Sequence, residues 1–412
     1  MKAQLLTIAL LFTLILAPLT LKAANPTDLA ATINIFNTTG GGTGSLTATA
    51  DDAYTVTVTG SFTDVTATLI LDIDPDVTVV WKADISTTGS ASPLIFLSGS
   101  GTFEVANCTV SASSGTVISA NGIGSKVIVS SSGIVKETGS GTAISSISDV
   151  EVDGGTVSSN SGTTINIAPG ATSTVTVNSG TVSAVTGNAI VGVDVTVSGD
   201  GMVQTTGPKI AIIASGNVEV DGGEVSATTG YAIDAEGDNS VVNVTNGGTV
   251  SATSGSAIYT AGDNSVVNVD NSTVSATTGT AINTASSTNS AITVSNAATV
   301  KATDSGTAIY TNGNVTVDGV GSNVTSDSAT AINATGATST VTVSGGTVST
   351  ATATAIKAED AGSKVTVSGT GIVEATGVNG IAIYAYGNVE VSDNAHVSAT
   401  TGKAIYAVGI PQ

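Results

Sequence analysis

The chain has 412 residues, of which 41% are hydrophobic but only 3% aromatic, and 49 are Gly. Its ten basic residues are all Lys and its acidic residues number 31, so the formal net charge is −21. Such an acidic chain repels nucleic acid and anionic membrane surfaces, which excludes both as partners. The single cysteine, Cys108, excludes a framework of internal disulfide bonds.

Residues 1–24 have the pattern of a secretory signal peptide. A Lys stands near the start, an apolar run extends from Leu5 to about Ala17, and cleavage is expected after Ala23 or Ala24. Leu21 and Lys22 depart from the usual pattern at the site, and an uncleaved anchor is the alternative. No later stretch is apolar for long enough to span a bilayer. The leader therefore predicts a secreted or cell-surface protein without an integral membrane segment after cleavage.

Residues 25–92 are predicted to form an N-terminal cap and entry strands. They lack the repeat described below, and a stacked repeat needs an atypical first segment because its open end exposes unpaired backbone and an apolar cross-section. Within this segment Asp72, Asp74 and Asp76 alternate with apolar residues, which predicts one strand with three carboxylates on a single face. Those carboxylates indicate either a solvated edge that repels other strands or oxygen ligands for calcium.

Residues 93–412 are predicted to form a repeat domain. Each repeat has three short segments rich in Val and Ile, separated by Gly, Asn, Ser and Asp, which is typical of short strands joined by turns. The first segment recurs at steps of 21 to 27 residues and places one Ile in each repeat: Ile95, Ile118, Ile144, Ile165, Ile190, Ile212, Ile233, Ile258, Ile282, Ile309, Ile332, Ile356, Ile383 and Ile405.

A period of this length indicates a stacked array rather than separate domains. Equivalent strands one coil apart run in the same direction, and the crossover between parallel strands is almost always right-handed. The sequence therefore predicts an all-β, right-handed parallel β-helix, a solenoid of about 13 three-strand coils.

Alternation within the strands predicts which side chains fill the core. Val242, Val244, Val250 and Ile258 face inward in one coil, and the residues between them face water. One outer face carries Thr-x-Ser pairs at Thr181/Ser183, Thr249/Ser251, Thr273/Ser275 and Thr347/Ser349. A flat hydroxyl lattice can match ice, so ice binding is an alternative function, although charged residues interrupt these rows.

Four acidic residues are candidate calcium ligands in the turn after the first strand of a coil. Asp238 and Asp263 occupy equivalent places in adjacent GDNS turns, and Glu359 and Asp360 are neighbours in a later turn. Carboxylates so close repel each other, and bound calcium would remove that cost. Asp is also a common turn residue without any metal. Calcium is therefore expected as an optional cofactor, and no cofactor is required.

A third outer face is predicted to carry aromatic side chains. Tyr259, Tyr310, Tyr384 and Tyr406 each directly follow the Ile of a first segment, so they share one side of its strands. Tyr rings present a flat apolar face with a polar tip, which suits stacking on sugar rings. The alternative is the scattered exposed Tyr found on most protein surfaces.

Groups for catalysis are scarce. The chain has no Arg, and its one His, His396, stands where other coils have Thr, so it is interpreted as a surface residue. A hydrolase would need two carboxylates at a set separation, and no such pair is evident. The protein is therefore predicted not to be an enzyme, with a polysaccharide lyase that uses Lys as the least favoured alternative.

Several segments carry a family resemblance: the leader, LILDIDPDVTVVWKADI, LIFLSGSGTFEV and the recurrent VSATTG. Together they resemble the adhesin-like right-handed parallel β-helix regions of large bacterial secreted or cell-surface proteins. The coil GYAIDAEGDNSVVNVTNGGTVSA is also similar to a calcium-containing, carbohydrate-binding β-helix family. The resemblance covers most of residues 60–409 and implies an extracellular location and binding to sugars or surfaces. No C-terminal sorting domain, wall anchor or translocator barrel is recognisable, which leaves the mode of surface attachment open.

These observations predict a secreted or cell-surface, non-enzymatic, adhesin-like β-solenoid that binds glycans or other host or cell surfaces. The principal alternative is a purely structural stalk or spacer. The final residues IYAVGIPQ stop partway through a coil, so a continuation of the chain or a capping partner is expected at that end.

Overall fold

The computed structural model describes residues 24–408. The predicted signal peptide, residues 1–24, lies outside this range except for Ala24, and so do the last four residues of the predicted repeat domain, 409–412.

The described chain begins with helix α1 (Pro26–Thr39). Asn25 caps it, because its side-chain Oδ1 accepts hydrogen bonds from the backbone N–H groups of Thr27 and Asp28. Leu29, Ile33 and Phe36 recur on one side of the helix and are buried against the first strands. The helix covers the apolar end of the tube that would otherwise be open.

The next strands lead from the helix into the coils. β1 (Thr43–Ala50) and β2 (Thr55–Thr63) form an antiparallel hairpin, and β2 then pairs in parallel with β4 (Thr78–Thr87). β3 (Leu69–Leu71) lies between them in the sequence. The prediction of one strand carrying Asp72, Asp74 and Asp76 is wrong, because Pro75 lies in a turn closed by a hydrogen bond from Val77 N to Asp74 O, 2.9 Å.

The rest of the chain is a stack of coils with three strands each, so equivalent strands form three parallel columns. The first column contains β3, β5 (Ile95–Leu97), β8 (Thr116–Ala120), β11 (Thr142–Ser146), β14 (Ile165–Ile167), β17 (Ile190–Gly192), β20 (Ile212–Ala214), β23 (Ile233–Ala235), β26 (Ile258–Thr260), β29 (Ile282–Thr284), β32 (Ile309–Thr311), β35 (Ile332–Ala334), β38 (Thr354–Ala358), β41 (Ile381–Ala385) and β44 (Lys403–Ala407).

The other two columns share strand β4, which is long enough to pair with the first member of each. The second column contains β6 (Thr102–Ala106), β9 (Lys126–Ser130), β12 (Asp149–Asp153), β15 (Thr174–Val177), β18 (Asp194–Ser198), β21 (Val218–Asp221), β24 (Val241–Thr245), β27 (Val266–Asp270), β30 (Ala291–Ser295), β33 (Asn314–Val317), β36 (Thr340–Val343), β39 (Lys364–Val367) and β42 (Asn388–Val391). The third column contains β7 (Thr109–Ala112), β10 (Ile134–Glu137), β13 (Thr156–Ser159), β16 (Thr181–Ala184), β19 (Met202–Thr205), β22 (Glu224–Ala227), β25 (Thr249–Ala252), β28 (Thr273–Ala276), β31 (Thr299–Ala302), β34 (Asn323–Ser326), β37 (Thr347–Thr350), β40 (Ile372–Ala375) and β43 (His396–Ala399).

The fold is the predicted all-β, right-handed parallel β-helix, with about 15 turns rather than about 13. The prediction counted the 13 steps between the 14 Ile residues from Ile95 onward, whereas each of these residues marks a strand of its own. The structure adds a coil at the N-terminal side, because Leu69 and Leu71 of β3 pair in register with Ile95 and Leu97. Leu in place of Ile made this coil harder to recognise in the sequence.

The core is a set of straight rows of identical or similar side chains. Val242 pairs with Val267 and Val244 with Val269 in adjacent coils, and Ile258 pairs with Ile282. The predicted inward residues Val242, Val244, Val250 and Ile258 are all fully buried. Rows of equal size allow every coil to stack at the spacing that parallel hydrogen bonding requires, about 4.8 Å.

The last coil contrasts with the helix-covered beginning. Ile405 is 43% exposed although its equivalents in the coils before it are buried, because no further coil within residues 24–408 packs on it. Within the same residues, no helix combines the length and the apolar character needed to cross a bilayer.

Candidate ligand-binding face

The outer surface of the first column brings together most of the Tyr residues. Strict register aligns the last residue but one of each strand in one outward row, in chain order Ile70, Phe96, Ser119, Ser145, Asn166, Val191, Ile213, Asp234, Tyr259, Asn283, Tyr310, Asn333, Lys357, Tyr384 and Tyr406. We call this row the outer row. All four predicted Tyr residues belong to it, as the sequence period indicated.

Tyr231 and Tyr259 form a stacked pair on this face. Their ring centroids are 4.8 Å apart with an interplanar angle of 24°. The hydroxyl of Tyr259 also donates a hydrogen bond to Ser286 Oγ, 2.8 Å away. This contact joins the coil of Tyr259 to the following coil. The ring of Tyr259 is therefore held in place from both sides, which leaves a rigid aromatic surface at low entropic cost.

Asp234 lies next to this pair and is unusually buried for an outer-row residue. It pairs with Tyr259 across the column and is only 7% exposed, and its Oδ1 has no hydrogen-bond partner. Burial, followed by repulsion from Glu236, raises the pKa of the Asp234 carboxyl from 3.8 to about 6. Burial also raises the pKa of Tyr231, and the nearby Tyr259 and Asp234 add to this effect.

Replacing Asp234 by Asn is expected to stabilise the fold at pH 8 but not at pH 4. Because the carboxyl has a higher pKa in the folded state, the folded state binds more protons between pH 4 and 6, and the free energy of unfolding falls as pH rises through that window. Asn at this position cannot ionise, so it removes this loss and should raise the free energy of unfolding by about 1–2 kcal/mol at pH 8. Thermal melting of both proteins at the two pH values measures the effect. Equal stabilisation at pH 4 and pH 8 would contradict a raised pKa of the Asp234 carboxyl in the folded protein.

A second aromatic cluster lies near the C-terminal end of the column. The ring centroid of Tyr384 is 5.6 Å from that of Tyr386 and 5.4 Å from that of Tyr406. The Tyr384 hydroxyl donates to the Tyr386 hydroxyl, 3.2 Å, and this bond is the main reason why the pKa of Tyr384 is raised to about 12. Lys403 Nζ lies 3.7 Å from the centroid of the Tyr406 ring. We call Tyr384, Tyr386 and Tyr406 the tyrosine cluster.

Tyr310, the fourth predicted ligand residue, stands between the two groups. Its neighbours in the outer row are Asn283 and Asn333, so it is flanked by amides instead of aromatic rings. Five coils separate Tyr259 from Tyr384, which corresponds to roughly 24 Å along the axis. The predicted aromatic face is therefore two separate groups with a single Tyr between them.

The carboxylates of the turn residues Asp238 and Asp263 each accept a backbone hydrogen bond from the following coil. Asp238 Oδ1 accepts a hydrogen bond from Asp263 N, 2.9 Å, and Asp263 Oδ1 accepts one from Thr288 N, also 2.9 Å. The bond from Thr288 lowers the pKa of Asp263. Each carboxylate thus fastens the turn of the next coil, a structural role that the sequence pattern did not reveal.

The other two calcium candidates also have protein partners. Glu359 Oε1 lies 2.6 Å from Lys357 Nζ, and Asp360 Oδ1 accepts a hydrogen bond from Gly362 N, 2.8 Å. In the part of the chain that the structure describes, no group of three or more His, Cys, Asp or Glu side chains is placed to hold a metal ion. Calcium binding at any of the four residues stays a prediction.

The Thr-x-Ser rows lie on the outer face of the third column. Register places Thr249 beside Glu224 on one side and beside Thr273 on the other, and Ser275 beside Lys301. A uniform hydroxyl surface is therefore limited to short stretches. This face offers less support for a binding function than the outer row of the first column.

Sequence reasoning missed two members of the aromatic groups, Tyr231 and Tyr386, and the acidic neighbour Asp234. Tyr231 precedes the strand by two residues, and Tyr386 follows Tyr384 at an alternate position, so neither falls on the repeat position that was searched. Asp234 was not among the acidic candidates, because only the turn residues after the strand were considered. Aromatic residues within two positions of a strand end include both Tyr231 and Tyr386.

Comparison of the chain with protein-family models, curated proteins and solved structures found no significant match.

Proposed function

We propose that this protein is a secreted or cell-surface, non-enzymatic β-solenoid that binds glycans through the outer face of the first column. The observation that carries the proposal is the tyrosine cluster, in which three rings meet on a flat sheet surface beside Lys403. Rings of this kind bind the apolar faces of sugars, while their hydroxyl groups supply hydrogen bonds. Calcium at Asp238, Asp263, Glu359 or Asp360 is an optional part of the proposal.

The charge of the protein narrows the class of glycan. A net charge of −21 repels polysaccharides rich in carboxylate or sulfate groups. Neutral or amine-bearing glycans do not suffer this repulsion. We therefore expect neutral or amino sugars to be the preferred ligands.

Replacing both Tyr384 and Tyr406 by Ala is expected to weaken glycan binding at least about tenfold, a loss of about 1.4 kcal/mol, because two of the three stacking surfaces disappear. The measurement is a glycan array followed by calorimetry on the retained oligosaccharides, with and without a calcium chelator. Tyr54→Ala is the matched control, since Tyr54 is 61% exposed on the N-terminal hairpin. Circular dichroism checks that both variants keep their β-structure.

Two results would contradict the proposal. Wild-type protein that retains no glycan in either condition would remove its basis, and equal affinity in the wild type and the double variant would remove the tyrosine cluster from the site. Loss of glycan binding only when the chelator is present would support calcium as a component of the binding site.

A stalk or spacer is the second candidate function, and the shape of the stack favours it. About 15 turns at roughly 4.8 Å give a rod of about 70 Å. A rod seen by small-angle scattering, together with a complete absence of ligand in the array, is the result expected for a spacer.

A further inference from the structure

A cleft lies on the outer face of the first column, beside Asp234. It has a volume of about 210 Å³, room for about seven water molecules at their liquid volume. Its lining comes from four successive coils and is mostly apolar, with Ile167, Val191 and Ile213 along its length and Glu236 contributed by the last of the four coils. A small organic molecule can occupy such a cleft and contact the carboxylate of Glu236 at one end.

Asp234 projects from the same surface as the apolar lining. Val191, Ile213, Asp234 and Tyr259 are successive members of the outer row, so Asp234 follows directly on the cleft. Its Oδ1 is buried and lacks a hydrogen-bond partner, a costly arrangement in the absence of a donor. The stacked rings of Tyr231 and Tyr259 lie on the other side.

Among residues 24–408, no basic side chain forms an ion pair with Asp234 or Glu236. The ion pairs found among residues 24–408 use other carboxylates: Lys126–Glu151, Lys357–Glu359 and Lys364–Glu390. The lining of the cleft contains no Lys either. The site therefore combines uncompensated negative charge, an unsatisfied buried acceptor, aromatic rings and an apolar cleft.

We propose that Tyr231, Asp234, Glu236 and Tyr259 bind the ammonium group of an organic cation whose apolar body occupies the adjoining cleft. An ammonium group donates hydrogen bonds to carboxylates and is attracted to aromatic rings. A calcium ion fits less well, because it takes six to eight oxygen ligands and gains nothing from an apolar cleft. The site lies about five coils from Tyr384 and does not depend on glycan binding by the tyrosine cluster.

Two sources supply this chemistry: an amino sugar within a glycan, and an alkylamine such as a polyamine or a Lys side chain. The probes are a glucosamine tetramer, its fully N-acetylated counterpart and cadaverine, each titrated into the full-length protein by calorimetry at pH 6.5. Binding of the glucosamine tetramer alone identifies an amino-sugar site, and binding of cadaverine as well identifies a general ammonium site. Both results support the proposal.

The variants Asp234→Asn and Glu236→Gln are each expected to weaken binding of the amine probes at least about tenfold. Glu151→Gln is the control, because Glu151 lies in the second column and already pairs with Lys126. Binding of cadaverine should also weaken when the pH is lowered to 5, since its amines stay protonated while the Asp234 carboxyl becomes neutral. The titratable groups that face Asp234 are Glu236, Tyr231 and Tyr259, and Ile213 on the preceding coil carries none.

The proposal is overturned if neither amine binds the wild type, if the N-acetylated tetramer binds as tightly as the glucosamine tetramer in the Tyr384→Ala/Tyr406→Ala variant, or if both acidic variants keep wild-type affinity. Equal binding of the two tetramers would still be compatible with glycan recognition at the tyrosine cluster. The Tyr384→Ala/Tyr406→Ala variant separates the cases, because it should leave cadaverine binding unchanged.

Discussion

Val294→Asp is expected to break the β-helix open at its middle. Val294 is fully buried, and it is paired with Val269 on one side and Val317 on the other in a continuous row of Val side chains. An Asp there places a carboxylate in an apolar tube with no partner, and the local cost is at least about 4 kcal/mol. Neighbouring coils hold each other in place, so the damage should extend beyond one coil.

Limited proteolysis measures this effect, because an opened coil exposes backbone that the intact ladder protects. The variant should be cut near β30, whereas the wild type should resist there. Thr293→Asp is the matched control, since Thr293 faces outward between Asn268 and Thr316 and has no charged neighbour in the ladder. If Val294→Asp melts at the wild-type temperature, the Val rows do not form the core described above.

Gly255→Ala is the second substitution with a large expected effect. Gly255 lies in the corner between the third and first columns, where a Cβ atom would stand 2.0 Å from the carbonyl oxygen of Gly230 in the preceding coil. Gly279 makes the same close approach to Gly255, so the corners form a continuous ladder. Backbone on both sides leaves little room to relax, and the loss of stability should exceed about 3 kcal/mol.

The melting temperature of Gly255→Ala against Thr253→Ala tests this expectation. Thr253 is exposed two residues earlier in the same corner, so its truncation should be nearly neutral. A glycine that merely supplied flexibility would tolerate Ala about as well as its neighbour does. Similar melting temperatures for the two variants would therefore show that the close approach is absent.

The architecture was predictable because the repeat specifies the same structure in every coil. Period-two alternation identified Val242, Val244 and Val250 as core residues, and the Ile spacing identified the first column. Helix α1 was not predicted, although Asn25 and Pro26 followed by Leu29, Ile33 and Phe36 match a capped amphipathic helix. Residues 25–92 were interpreted only by their lack of the coil pattern, so the helical period of residues 26–39 was overlooked.

The candidate site was less predictable, since it arises where side chains depart from the repeat. Alternation places Asp234 on the solvent side, but Tyr231 folds over from the preceding turn onto Tyr259 in the next coil, and Asp234 is buried beside them. This contact joins residues 231 and 259 through three-dimensional packing, so no local spacing encodes it. The turn acids Asp238 and Asp263 show the same limit, because their backbone partners come from the following coil.

The direction of the ladder hydrogen bonds determines how the molecule would respond to mechanical load. In a parallel β-helix these bonds run along the rod, and Ala24 and Val408 lie at opposite ends of the stack. A pull on the two ends would therefore peel strands apart one coil after another instead of shearing many bonds together. Each coil released, such as the 24 residues from Ile258 to Ile282, would lengthen the tether by roughly 80 Å at 3.3–3.6 Å per residue. Such a chain would extend in small repeated steps, and each step would dissipate part of the mechanical work done on the protein.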